Sequence, residues 1–231
     1  MEKRQKKNNM HVSKISFNGN PNIGLYGLAT DDYCLVSPDV SNSTISKMKE
    51  ILKVPVYKIY IAGTELVGAL CVANSNVLLV PEITRDEEID VLERHGVNYK
   101  IINTKMTALG NNILLRDDVA MINLNYDNDV VDQLKKLKIN SEKGKIAKNI
   151  TIGSCAFIGK NGGIVHRDAS EYEIKKMEKL FNVSLDIGTI NLGNPYVKSG
   201  IITNSRGILV GELTSGYEIT RVESSLEPKN G

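Results

Sequence analysis

The chain has 231 residues, of which 41% are hydrophobic, so it can bury a sizeable core in one large domain or in two ordinary ones. Its 29 basic and 27 acidic residues leave a net charge of +2, which argues against a protein that holds nucleic acid by bulk charge alone. The sequence has no apolar run of about 18 residues and begins with charged residues, so it predicts neither a membrane span nor a signal peptide, and we expect a cytoplasmic protein.

The three cysteines lie inside apolar runs and form no CxxC pair. A free cysteine in such a run behaves as a small buried hydrophobe. We therefore expect Cys34, Cys71 and Cys155 to belong to the core rather than to a chemical site.

Five stretches of the chain repeat one pattern. The apolar strands CLVSP, VLLVP, VAMIN, GIVHR and ILVGE align at separations of 43, 42, 44 and 44 residues when five positions are placed in register: Pro38, Pro81, Asn123, Arg167 and Gly211. Self-similarity at a fixed period is the signature of a repeat architecture. The sequence therefore predicts five structural units that fill the chain.

Each unit begins with an apolar stretch and a polar turn that leads into the aligned strand, which predicts a β-hairpin. Three residues after each aligned position stands a residue that we expect to cap a helix in four of the five units: Ser41, Thr84, Tyr126, Ser170 and Thr214, the tyrosine being the exception. Thr84 with Glu87 and Ser170 with Glu173 fit the capping box. Apolar residues at helical spacing follow, as in Ile45, Met48 and Leu52, and predict an amphipathic helix.

A third strand is predicted to complete units one to four, in VPVYKIYIA, VNYKIINT, KIAKNI and VSLDIGTI. The fifth unit has no such segment, whereas HVSKISF, His11 to Phe17, has the expected alternation and precedes the first unit. We expect this amino-terminal strand to complete the fifth unit, because closure removes exposed sheet edges. The prediction is an α/β fold, a closed five-bladed propeller with pseudo-five-fold symmetry, forming one domain over residues 10–226 between a basic disordered leader, 1–9, and a short tail, 227–231.

Four units carry a glycine 13 or 14 residues before the aligned position, at Gly24, Gly68, Gly110 and Gly153, and the fifth has Lys198 there. A glycine permits a tight turn from one blade to the next. In a closed ring these equivalent loops emerge on one face, so they form a composite surface from residues far apart in the sequence.

Several segments resemble the translation initiation factor 6 family in its archaeal branch: TELVGALCVAN, NTKMTALGNNILLRDD, GKIAKNITIGSCAFIGKNGGIVH, KLFNVSLDIGTIN and GILVGELTSGYEITRVESSL. The resemblance extends from Val12 to Leu226. It implies the five-bladed pentein fold and an anti-association factor that binds the intersubunit face of the large ribosomal subunit, near ribosomal protein uL14 and the sarcin-ricin loop. Such a factor blocks premature joining of the small subunit and acts in late subunit maturation. It implies no catalytic step, no cofactor, no metal, no membrane or DNA partner, and a monomer.

The resemblance also implies that the ribosome-binding residues lie in the loops between blades. Asn111 is the first candidate, since its side-chain amide offers both a donor and an acceptor. The supporting set is Leu109, Gly110, Gly68, Ala69, Ser154, Cys155, Ile23, Gly24, Lys198 and Ser199. For Cys155 this leaves two readings open, a core residue or a residue at the rim of the surface.

Two other functions are weighed against this one. Other pentein proteins modify guanidino groups with a cysteine, a histidine and two carboxylates, but the histidines, His11, His95 and His166, do not pair with the apolar cysteines in any evident way. A general RNA-binding protein would use the leader and a second basic cluster, Lys135, Lys136, Lys138, Lys143, Lys145 and Lys148. The leader holds Lys3, Arg4, Lys6 and Lys7, and we expect it to be a solvated tail rather than an arm on RNA phosphates.

Overall fold

A computed structural model describes residues 11–227, in which five three-stranded sheets stand around a common axis. The predicted leader 1–9 and nearly all of the predicted tail lie outside the described residues. The inner strand of each sheet lines the axis: β2 (Gly27–Ala29), β5 (Val72–Ala73), β8 (Ile113–Arg116), β11 (Ala156–Ile158) and β14 (Ile201–Thr203). The middle strands are β3 (Cys34–Val36), β6 (Leu78–Pro81), β9 (Val119–Asn123), β12 (Gly163–His166) and β15 (Gly207–Gly211).

The outer strands complete the sheets: β4 (Val56–Lys58), β7 (Tyr99–Ile102), β10 (Asn140–Gly144), β13 (Leu185–Gly188) and β1 (His11–Ile15). In every sheet the inner strand pairs antiparallel with the middle strand, and the outer strand pairs parallel with it. In the fifth sheet β1 pairs with β15, from His11 against Gly207 to Ile15 against Gly211. The predicted closure by the amino-terminal strand is therefore confirmed, and the fold is a closed five-bladed α/β propeller of the pentein type.

One long helix follows each middle strand: α2 (Asn42–Leu52), α4 (Asp86–Arg94), α6 (Asn128–Lys136), α8 (Glu171–Phe181) and α9 (Gly216–Leu226). A four-residue helix precedes each inner strand: α1 (Ile23–Tyr26), α3 (Val67–Leu70), α5 (Leu109–Asn112), α7 (Ile152–Cys155) and a 3-10 helix, Val197–Gly200. The long helices lie outside the ring and the short helices lie at one end of it.

The hydrophobic core is divided into five clusters, each of which fills the space between two neighbouring blades around one long helix. The cluster between blades five and one joins Ile15 and Phe17 with Met48 of α2 and Leu209 of β15. Cys34, Cys71 and Cys155 are fully buried, as predicted. Because each cluster needs side chains from two blades, no blade can bury its apolar surface alone.

The predicted third strand of unit three is wrong. The outer strand is Asn140–Gly144, whereas the predicted segment KIAKNI forms a turn closed by the bridge between Ile146 and Asn149. Similar turns follow the outer strands of other blades, between Phe17 and Asn20, Ile61 and Thr64, and Ile190 and Asn194. The segment NSEKG is polar because it is an edge strand with mostly accessible side chains, and it is held by backbone pairing with β9 rather than by burial.

The helix caps predicted at Ser41 and Ser170 are confirmed, but those at Thr84 and Thr214 are wrong by one residue, and the cap in the unit of Tyr126, the predicted exception, is the next residue, Asp127. The observed caps are Arg85, Asp127 and Ser215. The capping box of α4 uses Glu88 instead of the predicted Glu87, and α9 has a further capping box with Glu218. The reason is the register of the repeat. Each middle strand ends in a turn whose fourth residue donates its backbone N–H to the first, and these turns begin at Ser37, Pro81, Asn123, His166 and Gly211.

In units one and four the position equivalent to Pro81, Asn123 and Gly211 is therefore Ser37 and His166, and not Pro38 and Arg167 as the sequence alignment predicted. In this corrected register every cap stands four residues after the start of the turn, and each short-helix glycine, or Lys198, stands 13 residues before it. The units differ in length by up to three residues in this register, so apolar similarity alone leaves the alignment uncertain by one position.

Candidate functional site

The five short helices touch one another in a ring around the axis, and glycines allow the contact. A Cβ atom built on Gly68 would lie closer than 3.0 Å to the carbonyl oxygens of Gly24 and Gly27, and one built on Gly110 would meet the oxygens of Gly68 and Cys71 equally closely. Gly24 and Gly153 face the preceding helix in the same way. Each glycine is therefore required by the close approach of the next backbone.

Lys198 stands at the fifth equivalent position, and its side chain reaches across the axis. Its Nζ donates a hydrogen bond to the carbonyl oxygen of Gly110 at 2.8 Å, two blades away. Burial lowers the pKa of the Lys198 amine to about 8, while the nearby Cys71 thiol acts in the opposite direction. The lysine is thus directed into the interior of the ring and not towards a partner outside it.

Most of the predicted site residues are buried beneath this surface and support it without being exposed on it. Ile23, Leu109 and Cys155 are fully buried, and Gly24, Gly68, Gly110, Ala69 and Ser199 are buried as well. Burial also raises the pKa of Cys155 to about 11, and its Sγ lies 3.5 Å from the carbonyl oxygen of Thr151, so the core reading of this cysteine is correct. Ser199 Oγ lies within hydrogen-bond distance of Asn22, 3.3 Å away, and so joins blade five to blade one.

Asn111 and Ser154 are only partly buried on this face, as is Lys198, whose amine bonds inward to Gly110. Ser154 Oγ donates to the carbonyl oxygen of Thr151 at 2.6 Å, which leaves its lone pairs free to accept. Within residues 11–227 the side-chain amide of Asn111 makes no hydrogen bond, whereas the adjacent Asn112 is tied to Asn123 inside the blade. Asn111 can therefore offer both a donor and an acceptor outward without breaking a bond in the fold.

Turns at the rim of this face are held by two buried glutamates. The Glu88 carboxylate accepts backbone N–H bonds of 2.7 Å from both Ala62 and Gly63, and Glu218 accepts from Leu192 and Gly193. Burial opposes ionisation of Glu218, but hydrogen bonds from Ser215, Gly193 and Thr189 outweigh it and hold its pKa below the usual range. The helix of one blade thus fixes the turn that follows the previous outer strand.

Four apolar residues of this face were missed by the sequence analysis. Leu66, Ile150 and Tyr196 precede or cap short helices, and Leu192 lies in the turn before Tyr196; they are 37%, 38%, 38% and 70% exposed. A repeat signal exists for two of them, since Leu66 and Tyr196 both stand directly ahead of the buried residue that begins a short helix, whereas Ile150 and Leu192 have no such signal. Together with Asn111 and Ser154 they define the helix-end face.

The second basic cluster is only partly a single surface. Lys143, Lys145 and Lys148 line a groove of about 840 Å³ between the β10 turn and α8, with Lys176 and the 78% exposed Tyr172. Lys143 donates its amine to the carbonyl of Tyr126, and Lys176 pairs with Glu142 at 3.4 Å. Lys135, Lys136 and Lys138 lie at the end of α6 instead. Lys145 and Lys148 are therefore exposed cations in the turn that precedes the short helix α7.

An axial channel runs between the inner strands. Its narrow part, about 70 Å³, is lined by residues of β2, β5, β8, β11 and β14 with Lys198 and Cys71, and it opens at the hairpin turns into a mouth of about 470 Å³. Among the described residues that line the narrow part there is no histidine and no carboxylate. His166 is buried in blade four beside Tyr196, and His95 stacks on Tyr57. The channel therefore does not assemble the cysteine, histidine and carboxylates of guanidino chemistry.

Two features of residues 11–227 bear on other functions. No group of three or more His, Cys, Asp or Glu side chains in this part of the chain is placed to hold a metal ion. None of its helices combines the length and the apolar character needed to cross a membrane.

Comparison with known proteins identifies relatives of this chain. Residues 12–225 match the model of the eIF-6 family. The chain is 35% identical over 224 residues to translation initiation factor 6 of Pyrococcus abyssi, covering 94% of this chain and 99% of the relative. It is 36% identical over 222 residues to the factor of Saccharolobus islandicus, with the same coverage, and 37% identical over 218 residues to that of Sulfolobus acidocaldarius, covering 93% and 98%.

Among solved structures the chain is similar to dimethylarginine dimethylaminohydrolases. One has a TM-score of 0.47 at 12% identity over 74% of this chain and 68% of that chain. Another, from Pseudomonas aeruginosa, has a TM-score of 0.45 at 14% identity over 92% and 77%. Because these TM-scores are low, the fold is described from the arrangement of the five sheets and not from the similarity to these enzymes.

Proposed function

Because this chain belongs to the translation initiation factor 6 family, we propose that it binds the intersubunit face of the large ribosomal subunit through its helix-end face and so blocks premature joining of the small subunit. The observation that carries the proposal is the gathering of the five short helices into one ring, with Asn111 and Ser154 accessible on it. The proposal includes action in late subunit maturation, in the cytoplasm, as a monomer.

The composition of the helix-end face suits a protein partner. Leu66, Ile150, Tyr196 and Leu192 supply apolar and aromatic area, and Asn111 supplies a polar group that can pair at the centre. Protein interfaces combine such an apolar core with a small number of directional hydrogen bonds. Ribosomal protein uL14 is the partner that we propose for this part of the face.

The lysine groove supports a second, weaker contact with ribosomal RNA. Lys145 and Lys148 are exposed in the turn that leads into α7, so their amines lie at the rim of the helix-end face. Phosphate contacts by lysine release counterions and weaken steeply as salt rises. We assign this rim to the vicinity of the sarcin-ricin loop, as a supplement to docking on protein.

The mechanism that follows is occupancy. The face makes and breaks no covalent bond. How strongly the protein blocks subunit joining depends on its affinity for the large subunit and on the volume that it occupies there. We therefore propose that the protein is not an enzyme and needs no cofactor. The rigid ring presents its contact residues in one geometry, which limits the entropy lost on binding.

The direct test is sedimentation of purified large and small ribosomal subunits with and without the protein, at two salt concentrations. We expect the protein to travel with the large subunit alone and to reduce the joined ribosomes. Binding to neither subunit, or to both equally, would contradict the proposal. Replacement of Lys145 and Lys148 by Gln should weaken binding at low salt and make it less dependent on salt.

A sharper test uses two asparagines at opposite ends of the ring. Asn111→Ala should weaken binding to the large subunit by about tenfold, as for the loss of one central contact, and change the free energy of unfolding by less than about 0.5 kcal/mol. Asn161→Ala, in the exposed hairpin turn between β11 and β12, is the matched control and should bind normally. Equal binding of both variants would remove α5 from the contact surface.

A further inference from the structure

The amine of Lys198 lies in a setting that the proposed function does not use. It lines the narrow part of the axial channel, where the other side chains come from β2, β5, β8, β11 and β14 and are almost all apolar. The amine has three potential donors, and within the described residues the structure gives it one hydrogen bond, to the Gly110 carbonyl. No carboxylate among the residues that line this part of the channel offsets a positive charge there.

The channel selects by size and by charge. Its narrow part of about 70 Å³ has room for about five water molecules, so it admits a molecule of a few heavy atoms and excludes larger ones. Access is from the hairpin end, where the wider mouth shares Ala29, Ala73, Leu115, Phe157, Ile158 and Thr203 with the narrow part. An apolar lining favours an uncharged reagent over an ion.

We propose that Lys198 is a modification site, whose Nζ at the inner end of the axial channel reacts selectively with small uncharged carbonyl electrophiles of the isocyanic acid type. This inference goes beyond the proposed function and does not depend on ribosome binding. A lysine amine in a desolvated pocket is more often unprotonated at neutral pH than an exposed one, which makes it a nucleophile.

The reaction is an addition that needs no oxidant and expels no group. The lone pair of neutral Nζ forms an N–C bond to the carbon of isocyanic acid, the C=N double bond of the reagent becomes single, and one amine proton moves to the reagent's nitrogen. The product is a neutral urea. It keeps an N–H on Nζ that can still donate to the Gly110 oxygen, and it removes a charge from an apolar channel.

The titratable groups around the amine are few. Cys71 lines the same narrow part, and burial holds its pKa far above the neutral range, so its thiol stays uncharged. Asp31, Arg116, Asp117 and Lys160 stand at the wide mouth, where opposite charges are mixed. None of these groups supplies a fixed negative charge inside the channel that would keep the Lys198 amine protonated.

The test is carbamylation of the full chain with cyanate at neutral pH, followed by mass-spectrometric mapping of each lysine over time. Lys198 should react on the order of tenfold faster than the exposed Lys100 of β7, since a lower pKa leaves more of the amine neutral. In guanidinium chloride the two rates should become equal. An aryl isocyanate, with the same chemistry but too large for the channel, should modify Lys100 and spare Lys198.

A rate at Lys198 no higher than at Lys100 in the folded protein would overturn the proposal, as would a preference that survives unfolding. Equal access of the aryl reagent would also contradict the channel as the selective element. Lys198→Arg keeps the positive charge and removes the reactive amine, so it should lose the fast-reacting site and leave the other lysines unchanged. The wild-type comparison decides the question even if that variant does not fold.

Discussion

The five junctions between blades fall into two kinds. Four join blades that follow one another in the chain, whereas blade five is linked to blade one only through β1, which is held in blade five by pairing with β15 and not by a chain connection. At the four continuous junctions the chain itself limits how far neighbouring blades can separate. At the closing junction only β1 continues from one blade to the other, pairing with β15 and leading into α1.

The closing junction carries a dense set of polar contacts between residues more than 150 positions apart. Asn191 donates to the carbonyl of Pro21 at 2.9 Å, and Asn204 donates to those of Thr30 and Leu52 at 3.1 and 2.8 Å. Asp31 accepts a bond of 2.8 Å from the backbone of Ser205. Contacts of such high sequence separation must offset the entropy of closing a loop of nearly the whole chain.

The difference shows where a ring built from repeats needs the most specific chemistry. All five junctions have apolar clusters, and the glycine-to-carbonyl approach that the repeat supplies occurs at continuous junctions and, through Gly24, at the closing one. Continuous junctions also carry side-chain hydrogen bonds such as that from Asn74 to Asp117. The closing junction adds further side-chain hydrogen bonds, including two from Asn204 to backbone carbonyls of blade one. Four changes of decreasing expected effect test this contrast.

Deletion of residues 11–17 should have the largest effect, because it removes the outer strand of blade five and takes Ile15 and Phe17 out of the closing cluster. The loss should equal or exceed about 5 kcal/mol, the lower range of total stability for a domain. Thermal unfolding followed by circular dichroism measures it. Removal of residues 1–9 is the control, and an unaltered melting transition in the longer deletion would contradict the closure argument.

Among the single substitutions considered, Gly68→Ala should lower the stability of the protein most. Its Cβ would press against the backbone oxygens of Gly24 and Gly27, which cannot move without separating two blades. A cost of about 1–3 kcal/mol in the free energy of unfolding is expected from overpacking. Gly216→Ala, which meets nothing within 4 Å at the start of α9, should be neutral or slightly stabilising. Similar values for both variants would refute the role of the glycine contacts.

Asn204 and Asn74 form a matched pair at equivalent hairpin turns. Each accepts two backbone N–H bonds within its own turn through Oδ1, and each donates Nδ2 to the next blade. Asn74 reaches one carbonyl, Asp117, whereas Asn204 reaches two. Asn204→Ala should therefore cost about 2 kcal/mol and Asn74→Ala about 1 kcal/mol in urea unfolding. The reverse order would show that the closing junction is not the more dependent on polar contacts.

Lys198→Met should have the smallest effect on stability, and it should stabilise the protein rather than destabilise it. Burial lowers the folded-state pKa to about 8, below the value near 10.4 of an unfolded lysine, so the unfolded chain binds the proton more tightly. The wild-type protein should gain stability as pH rises through this window. At pH 7 the variant should be more stable by about 1 kcal/mol, after allowance for the lost bond to Gly110.

The advantage of Lys198→Met should vanish above about pH 10, where the folded and unfolded lysine are both neutral. Urea unfolding of both proteins at several pH values between 7 and 10 measures this difference. A variant that is less stable than wild type throughout would show that the bond to Gly110 outweighs the cost of burying the amine.

Sequence periodicity alone was sufficient for the larger features. The five units, their hairpins, the caps at Ser41 and Ser170 and the closing role of the amino-terminal strand follow from local pattern, because apolar alternation and capping depend on neighbours in the chain. The position of the short-helix glycines also followed from the repeat, and so did the burial of the cysteines.

Tertiary structure decided the rest. KIAKNI alternates as a strand should, yet it turns, because backbone pairing with β9 uses the polar segment before it. Lys198 reads as a loop residue, yet its side chain enters the channel and its amine bonds to Gly110, because the closed ring brings residues two blades apart together at the axis. Leu66, Ile150, Leu192 and Tyr196 are apolar, yet they remain exposed. A residue's direction relative to a ring depends on all five blades, and no local segment contains that information.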